Sequence, residues 1–309
     1  MALVEEGIAV RAAGIDAPLL VLSEFPRGAE ADALARALIP TLCTPEGLAA
    51  LGDAADAIGQ GRDEIAVHVK VDTGMHRIGV WPPEDLAPFV RSVRAAGFVV
   101  EGVWTHLACA EDDDVTTKEQ LQRFEGAVAS LDERPPLLHA ANSAATILYP
   151  DSHLDLVRPG IAIYGIEPAP GIGADLGLRP ALSWHSAVSM VKRLPAGEAV
   201  SYGHLYRLDR DATIATVPVG YEDGFPRALS SVGQVLVGGV RRHVAGTVTM
   251  DQILLDCGDD PVRPGDPVVV IGRQGDEEIT AAELAEHAGS IAYEIVTAIS
   301  ERVPREYVG

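Results

Sequence analysis

The 309 residues suffice for one large α/β domain or two domains with ample core. At 47% hydrophobic and 22% charged the composition is that of an ordinary globular protein, and a net charge of −21 argues against nucleic acid or anionic membrane as partners, since both are bound by positive surface. Cys43, Cys109 and Cys257 are widely spaced, which fits reduced thiols in a cytoplasm and gives no metal pattern, and no apolar run approaches the roughly 18 residues of a membrane span.

In chain order, Val4, Ile8 and Val10 mark a short amphipathic helix that lacks a Ser, Thr, Asp or Asn cap at its start. Apolar strands are then expected at 19–22, 65–72, 99–107, 137–140 and 162–165, alternating with helices at 30–37, 45–57, 84–96 and 118–131. This rhythm predicts parallel β/α units of a (β/α)8-type barrel, with functional groups at the carboxyl ends of the strands. The Pro- and Gly-rich "EPAPGIGADLGLRP" breaks it; beyond come short strands with Gly and Asp turns, and one helix at 281–288. The expected domains are therefore 1–178, α/β and ligand-binding, and 179–309, all-β.

Chemistry-bearing residues fall at the expected strand ends. "KVDTGMHRIGV" offers Lys70 and Arg77, the latter suited to a carboxylate or phosphate through two parallel hydrogen bonds; a Lys70–Asp72 pair closing a strand is the plainer reading. "THLACAEDDD" offers His106, and "HAANSAA" offers His139 and Ser143. "VRPGIAIYG" offers Arg158 and the backbone N–H groups of Gly160 and Ile161. Each alone is equally an ordinary structural feature. Together, Arg, His, Ser and Arg at successive strand ends describe an anionic ligand with several acceptor groups. In the second domain Tyr202, Tyr221, Met250 and Asp251 lie beside turns in "VSYGHLY", "PVGYEDGFPR" and "TVTMDQ".

Read in order with "YEIVTAISERVPR", these motifs resemble alanine racemase, the pyridoxal 5'-phosphate enzyme that interconverts L- and D-alanine, over the whole chain. The resemblance implies a barrel followed by a β domain, and D-alanine supply for peptidoglycan. Tyr202 would be one base, bonded to His106, which meets Arg158 and then His139. Arg158 would bond the cofactor's pyridine nitrogen, and Ser143, Gly160, Ile161 and Tyr293 would hold its phosphate. Arg77 would take the substrate carboxylate, steadied by Lys70 carboxylated on its amine. Tyr221, Met250 and Asp251 would reach the site from the other subunit of a homodimer, so that a monomer should be inactive. Alternatives are a serine or broad-specificity racemase, a non-catalytic cofactor-binding relative and, more weakly, a decarboxylase of shared fold.

The family also uses a lysine at the end of its first barrel strand, as covalent cofactor anchor and second base. The lysines here are Lys70, Lys118 and Lys192, and none matches it. The expectation is a longer gene product started at an internal valine codon, about two β/α units or 60 residues short, and no appreciable racemase activity for the 309 residues alone.

Overall fold

The structure is a computed structural model, and it describes residues 1–308. It divides into two compact units, Met1–Gly160 and the remainder from Ile161.

The first unit opens with α1 (Val4–Ala12), whose cap position is Leu3, with no capping side chain. The donors at this end are met from within: Glu6 Oε2 accepts from the N–H groups of Ala2 (2.8 Å) and Leu3 (2.9 Å), the reach-back half of a capping box. Then come β1 (Leu19–Leu20), α2 (Glu30–Ala35), β2 (Leu38–Ile39) and β3 (Thr41–Leu42). β2 and β3 are one short extended segment split by Pro40, which has no N–H to give; its carbonyl still accepts from His68 N at 2.9 Å. The segment is absent from the expected strands because "LIPTLC" is too short and Pro-broken to read as one.

α3 (Pro45–Ile58), expected at 45–57, is bounded by a cap at each end: Thr44 Oγ1 accepts from Gly47 N at 2.9 Å, and Gly59 closes it at φ 71°. Next come β4 (Ala66–Lys70), α4 (Leu86–Ala95), β5 (Val99–Trp104) and α5 (Asp114–Ala129). α5 starts a turn before the expected 118 because Asp113 Oδ1 takes the N–H groups of Val115 and Thr116, each at 3.0 Å. β6 (Leu137–His139) ends the sheet, and α6 (Ser143–Leu148) starts on Asn142, whose Oδ1 accepts from Ala145 N.

All these strand pairs are parallel: β1 with β2, and β3-β4-β5-β6 in sequence order, the wall expected of an α/β barrel. Helices cover it through Leu51, Leu86, Val90, Val93 and Phe124, packed on Val67, Val69 and Val103. Burying such side chains contributes about 1.5–3 kcal/mol each.

The expected strand at 162–165 is a 3-10 turn, Ile161–Tyr164. Gly165 N bonds Ala162 O and Ile166 N bonds Ile161 O, so the backbone closes on itself instead of joining a ladder. The short apolar run Ile161-Ala162-Ile163-Tyr164 imitates a strand in sequence, but Ile161 is buried while Ile163 and Tyr164 are exposed, which is not a strand's alternation. Ile161 and Ile166 pack into the core of the second unit, whereas the sequence pattern keeps everything up to 178 with the first.

The second unit holds β7 (Trp184–Ala187), β8 (Met190–Leu194), β9 (Ala199–Val200), β10 (Tyr206–Arg207) and β11 (Ala212–Val217). It continues with β12 (Gln234–Val237), β13 (Val240–Val244), β14 (Ile253–Asp256), β15 (Pro267–Gln274) and β16 (Glu277–Ile279). The chain ends in α7 (Ala281–Ala288) and α8 (Ala292–Ala298), the latter not expected from sequence. The main sheet is antiparallel in the order β16-β15-β12-β13-β14-β11-β8, with β7 also on β15. Phe225, Leu229, Leu236, Ile253 and Leu284 lie at its core. A β-rich second domain is thus borne out.

Candidate active site

In the first unit, β4, β5 and β6 end side by side. Their register aligns Lys70 with Trp104 and Trp104 with His139. The indole of Trp104, 1% exposed, is the floor of the site. It stacks on the His139 ring (5.5 Å between centroids, 9° between planes) and carries two cations, Lys70 Nζ at 4.5 Å and Arg158 Cζ at 4.8 Å.

Arg158 is the hub. Its Nη1 donates to His139 Nδ1 at 2.6 Å, and its Nη2 to the carbonyls of Thr105 (2.8 Å) and Ala140 (2.9 Å), with His106 Nδ1 farther off at 3.4 Å. Burial lowers its pKa to about 10, and it remains a cation. Its Nε is buried with no hydrogen-bond partner among the described residues. Because a guanidinium only donates, His139 and His106 must present bare Nδ1 atoms to it. Both rings are held neutral: burial and then Arg158 push His106 down to about 3 and His139 to about 2. The hydrogen of each neutral ring is therefore on Nε2.

Lys70 is 2% exposed and has no hydrogen bond or ion pair with a described residue. Burial, and next the Arg77 charge, lower its pKa from 10.5 to about 8. The plainer Lys70–Asp72 pair is not formed: Asp72 Oδ1 instead accepts from Gly74 N and His76 N, shaping the turn. Arg77 stands exposed beyond that turn, with no hydrogen bond or ion pair of its own among the described residues. Ser143 and Gly160 meet directly, Gly160 N donating to Ser143 Oγ at 2.8 Å.

In the second unit, Tyr202 is 74% exposed on a strained segment: Ser201 and His204 hold φ of 63° and 51°, outside the usual range for residues other than glycine. Thr247 braces it on both sides, its carbonyl accepting from Ser201 Oγ (2.6 Å) and its hydroxyl donating to Tyr202 O (2.8 Å). Tyr221 and Met250 are brought together by Tyr221 N to Thr249 O and Glu222 N to Met250 O. A Cβ at Gly220 would meet Met250 O at 2.2 Å, so only glycine allows this approach. Arg302 bridges Asp223 (3.4 Å) and Asp251 (2.9 Å), tying the two turns. Ile161 and Tyr293 belong to this unit's core, Ile161 buried and Tyr293 half-buried on α8.

Trp104, His68, Thr247 and Arg302 are not among the residues that sequence singles out. Trp104 and His68 sit inside strands, where an aromatic or a histidine reads as core; Thr247 and Arg302 lie within the motifs "TVTMDQ" and "YEIVTAISERVPR" but carry no signal of their own.

Comparison with known proteins agrees with this layout. The family description "Alanine racemase, N-terminal domain" matches residues 1–168, and "Alanine racemase, C-terminal domain" matches residues 181–307. The alanine racemase of Symbiobacterium thermophilum is 49% identical over 315 residues, covering 100% of this chain and 82% of that protein. That of Thermobifida fusca is 41% identical, covering 100% and 83%. The crystal structure of alanine racemase from D-cycloserine producing Streptomyces lavendulae is 40% identical and superposes with a TM-score of 0.92, covering 100% of this chain and 82% of that one. The chain belongs to the alanine racemase family.

Proposed function

We propose that the protein serves as an alanine racemase, with the site built around Arg158. The observation that carries the reading is the Arg158 Nε–H, buried without a partner beside two neutral imidazoles. It fits an acceptor such as the pyridine nitrogen of pyridoxal 5'-phosphate. Ser143 Oγ and the Gly160 N–H, already in contact in the first unit, suit a phosphate, the role for which the family resemblance also proposes Ile161 and Tyr293. When bound, the cofactor stabilises negative charge at the substrate Cα. A donor that keeps its own proton leaves the ring nitrogen unprotonated, so that stabilisation is moderated and side reactions are disfavoured.

The chain's own residues supply the rest. Arg77, with a free guanidinium, holds the substrate carboxylate. The lowered pKa of Lys70 leaves a share of neutral amine near pH 8, the form that adds carbon dioxide to give a carbamate and a released proton. That anion would stand within reach of the Arg77 and Arg158 charges, where no described carboxylate forms an ion pair with Lys70. By the family resemblance Tyr202 takes or returns the Cα proton, and His106, with its hydrogen on Nε2, is the donor suited to a tyrosine oxygen supplied by a second copy. Tyr202, Tyr221 and Met250 are 74%, 41% and 50% exposed in one chain, which supports their delivery, with Asp251, by a second copy. The three unpaired cysteines support a reducing cytoplasm, and no described helix is long and apolar enough to cross a membrane.

The second base is not among these lysines: Lys118 is exposed and paired with Asp114 at 2.7 Å, and Lys192 lies exposed on β8. The 309 residues span 82% of the Symbiobacterium relative. The test is conversion of L-alanine to D-alanine by the 309-residue chain and by the chain extended with its in-frame upstream codons. No turnover by the first and turnover by the second is expected. A normal rate from the first would overturn the assignment of the base, and an inactive extended chain carrying the lysine would overturn the racemase reading.

A further inference from the structure

The hydrogen-bond chain from Arg158 does not stop at His139. His139 Nε2 lies 2.8 Å from His68 Nδ1, and His68 Nε2 lies 3.3 Å from Glu101 Oε2. His139 and His68 are 0% and 2% exposed, whereas the Glu101 side chain is 37% exposed. The direction of every bond is fixed from both ends. The guanidinium can only donate, so His139 Nδ1 is bare and its Nε2 carries hydrogen; His68 Nδ1 must then accept, and its Nε2–H points at a carboxylate that accepts. A second hydrogen on either ring would set donor against donor.

The sequence makes room for this path. β4 and β5 shift register between Val67 and His68, placing His68 opposite Gly102. A Cβ at Gly102 would stand 2.3 Å from His68 Nδ1, so a glycine in mid-strand is what lets the imidazole lie across the neighbouring strand. Among the described residues no carboxylate pairs directly with Arg158; Glu101 is joined to it through two imidazoles.

We propose that Glu101 and His68 are positioning residues that act through His139 on Arg158. The anion polarises the chain toward itself, strengthens the Arg158 Nη1 to His139 bond and so leaves Nε–H as the guanidinium donor directed at a ligand. That this donor meets a cofactor rests on the function proposed above; the relay itself does not.

The test uses the full 309-residue protein with 15N-labelled histidine, its ring nitrogens followed by long-range 1H–15N correlation and assigned with His68→Gln. In the parent protein both His68 and His139 are expected to show bare Nδ1 and protonated Nε2. In Glu101→Gln the amide oxygen keeps the direction but not the charge, so the tautomers persist. The expected changes are a shift of the His139 Nδ1 resonance and about tenfold faster exchange of the His68 Nε2 hydrogen, the ratio set by a charged against a neutral acceptor. Gly102→Ala should displace His68 and abolish the His68 to His139 coupling. A hydrogen on Nδ1 of either ring in the parent protein, or a His139 ring unmoved by Glu101→Gln, would overturn the proposal. Ring shifts as expected in a protein that does not bind pyridoxal 5'-phosphate would sustain the relay and sink the cofactor reading alone.

Discussion

Lys70 shows how burial prepares a side chain for a task. Two cations, Lys70 and Arg158, lie over the Trp104 ring, an arrangement that cation–π attraction only partly offsets. Burial first, and then the Arg77 charge, lowers the Lys70 pKa to about 8; a lysine amine can lose its proton there, and an arginine cannot at ordinary pH. Between pH 8 and the ordinary value of 10.5 the unfolded chain binds more protons at this site than the folded one, so stability rises with pH across that window. Below pH 8 both states are protonated and the destabilisation is fully present. In buffer freed of carbon dioxide, Lys70→Met should therefore flatten the rise by about 1.4 kcal/mol per pH unit, read from urea midpoints. Added 13C-bicarbonate should give the parent protein a carbamate carbon resonance that Lys70→Met lacks. Matching pH profiles and no such resonance would refute both the buried cation and its modification.

Among the elements, helices with explicit caps and enough length are legible in the sequence, and the others are not. Thr44 and Gly59 bracket α3 in the sequence as they do in space. α6 is hidden because six residues carry too little periodicity, though Asn142 caps it. The turn Ile161–Tyr164 mimics a strand because a short apolar run carries no periodicity that separates a strand from a turn with one buried side chain. The site divides similarly. Polar residues in distinctive motifs, such as His106 after β5 and Arg158 in the loop before the Ile161–Tyr164 turn, stand out, whereas Trp104 and His68 are indistinguishable from core until strand register is known. In the second unit the turns of Tyr221 and Met250 depend on backbone proximity at Gly220. Gly220→Ala should cost about 1–3 kcal/mol, as overpacking does, and broaden the resonances of Tyr221 and Met250. An unchanged melting midpoint with unperturbed turns would show that the contact is slack.

At the scale of the molecule, the two units carry different sets of groups. The first holds fixed donors and neutral imidazoles around Arg158; the second displays Tyr202, Tyr221, Met250 and Asp251 on braced turns. The composition and net charge announce none of this, and the family resemblance makes it readable residue by residue. The proposed racemase reading rests most on the Arg158 Nε–H, buried without a partner among the described residues, as a proposed contact for a pyridine nitrogen. The direct measurement is titration of the 309-residue protein with pyridoxal 5'-phosphate, monitored by quenching of tryptophan fluorescence, in parallel with Arg158→Ala. Saturable binding by the parent, weakened about tenfold or more in Arg158→Ala as the loss of a charge-assisted bond requires, is the predicted result. Equal affinity of the two proteins, or no binding by the parent, would contradict it.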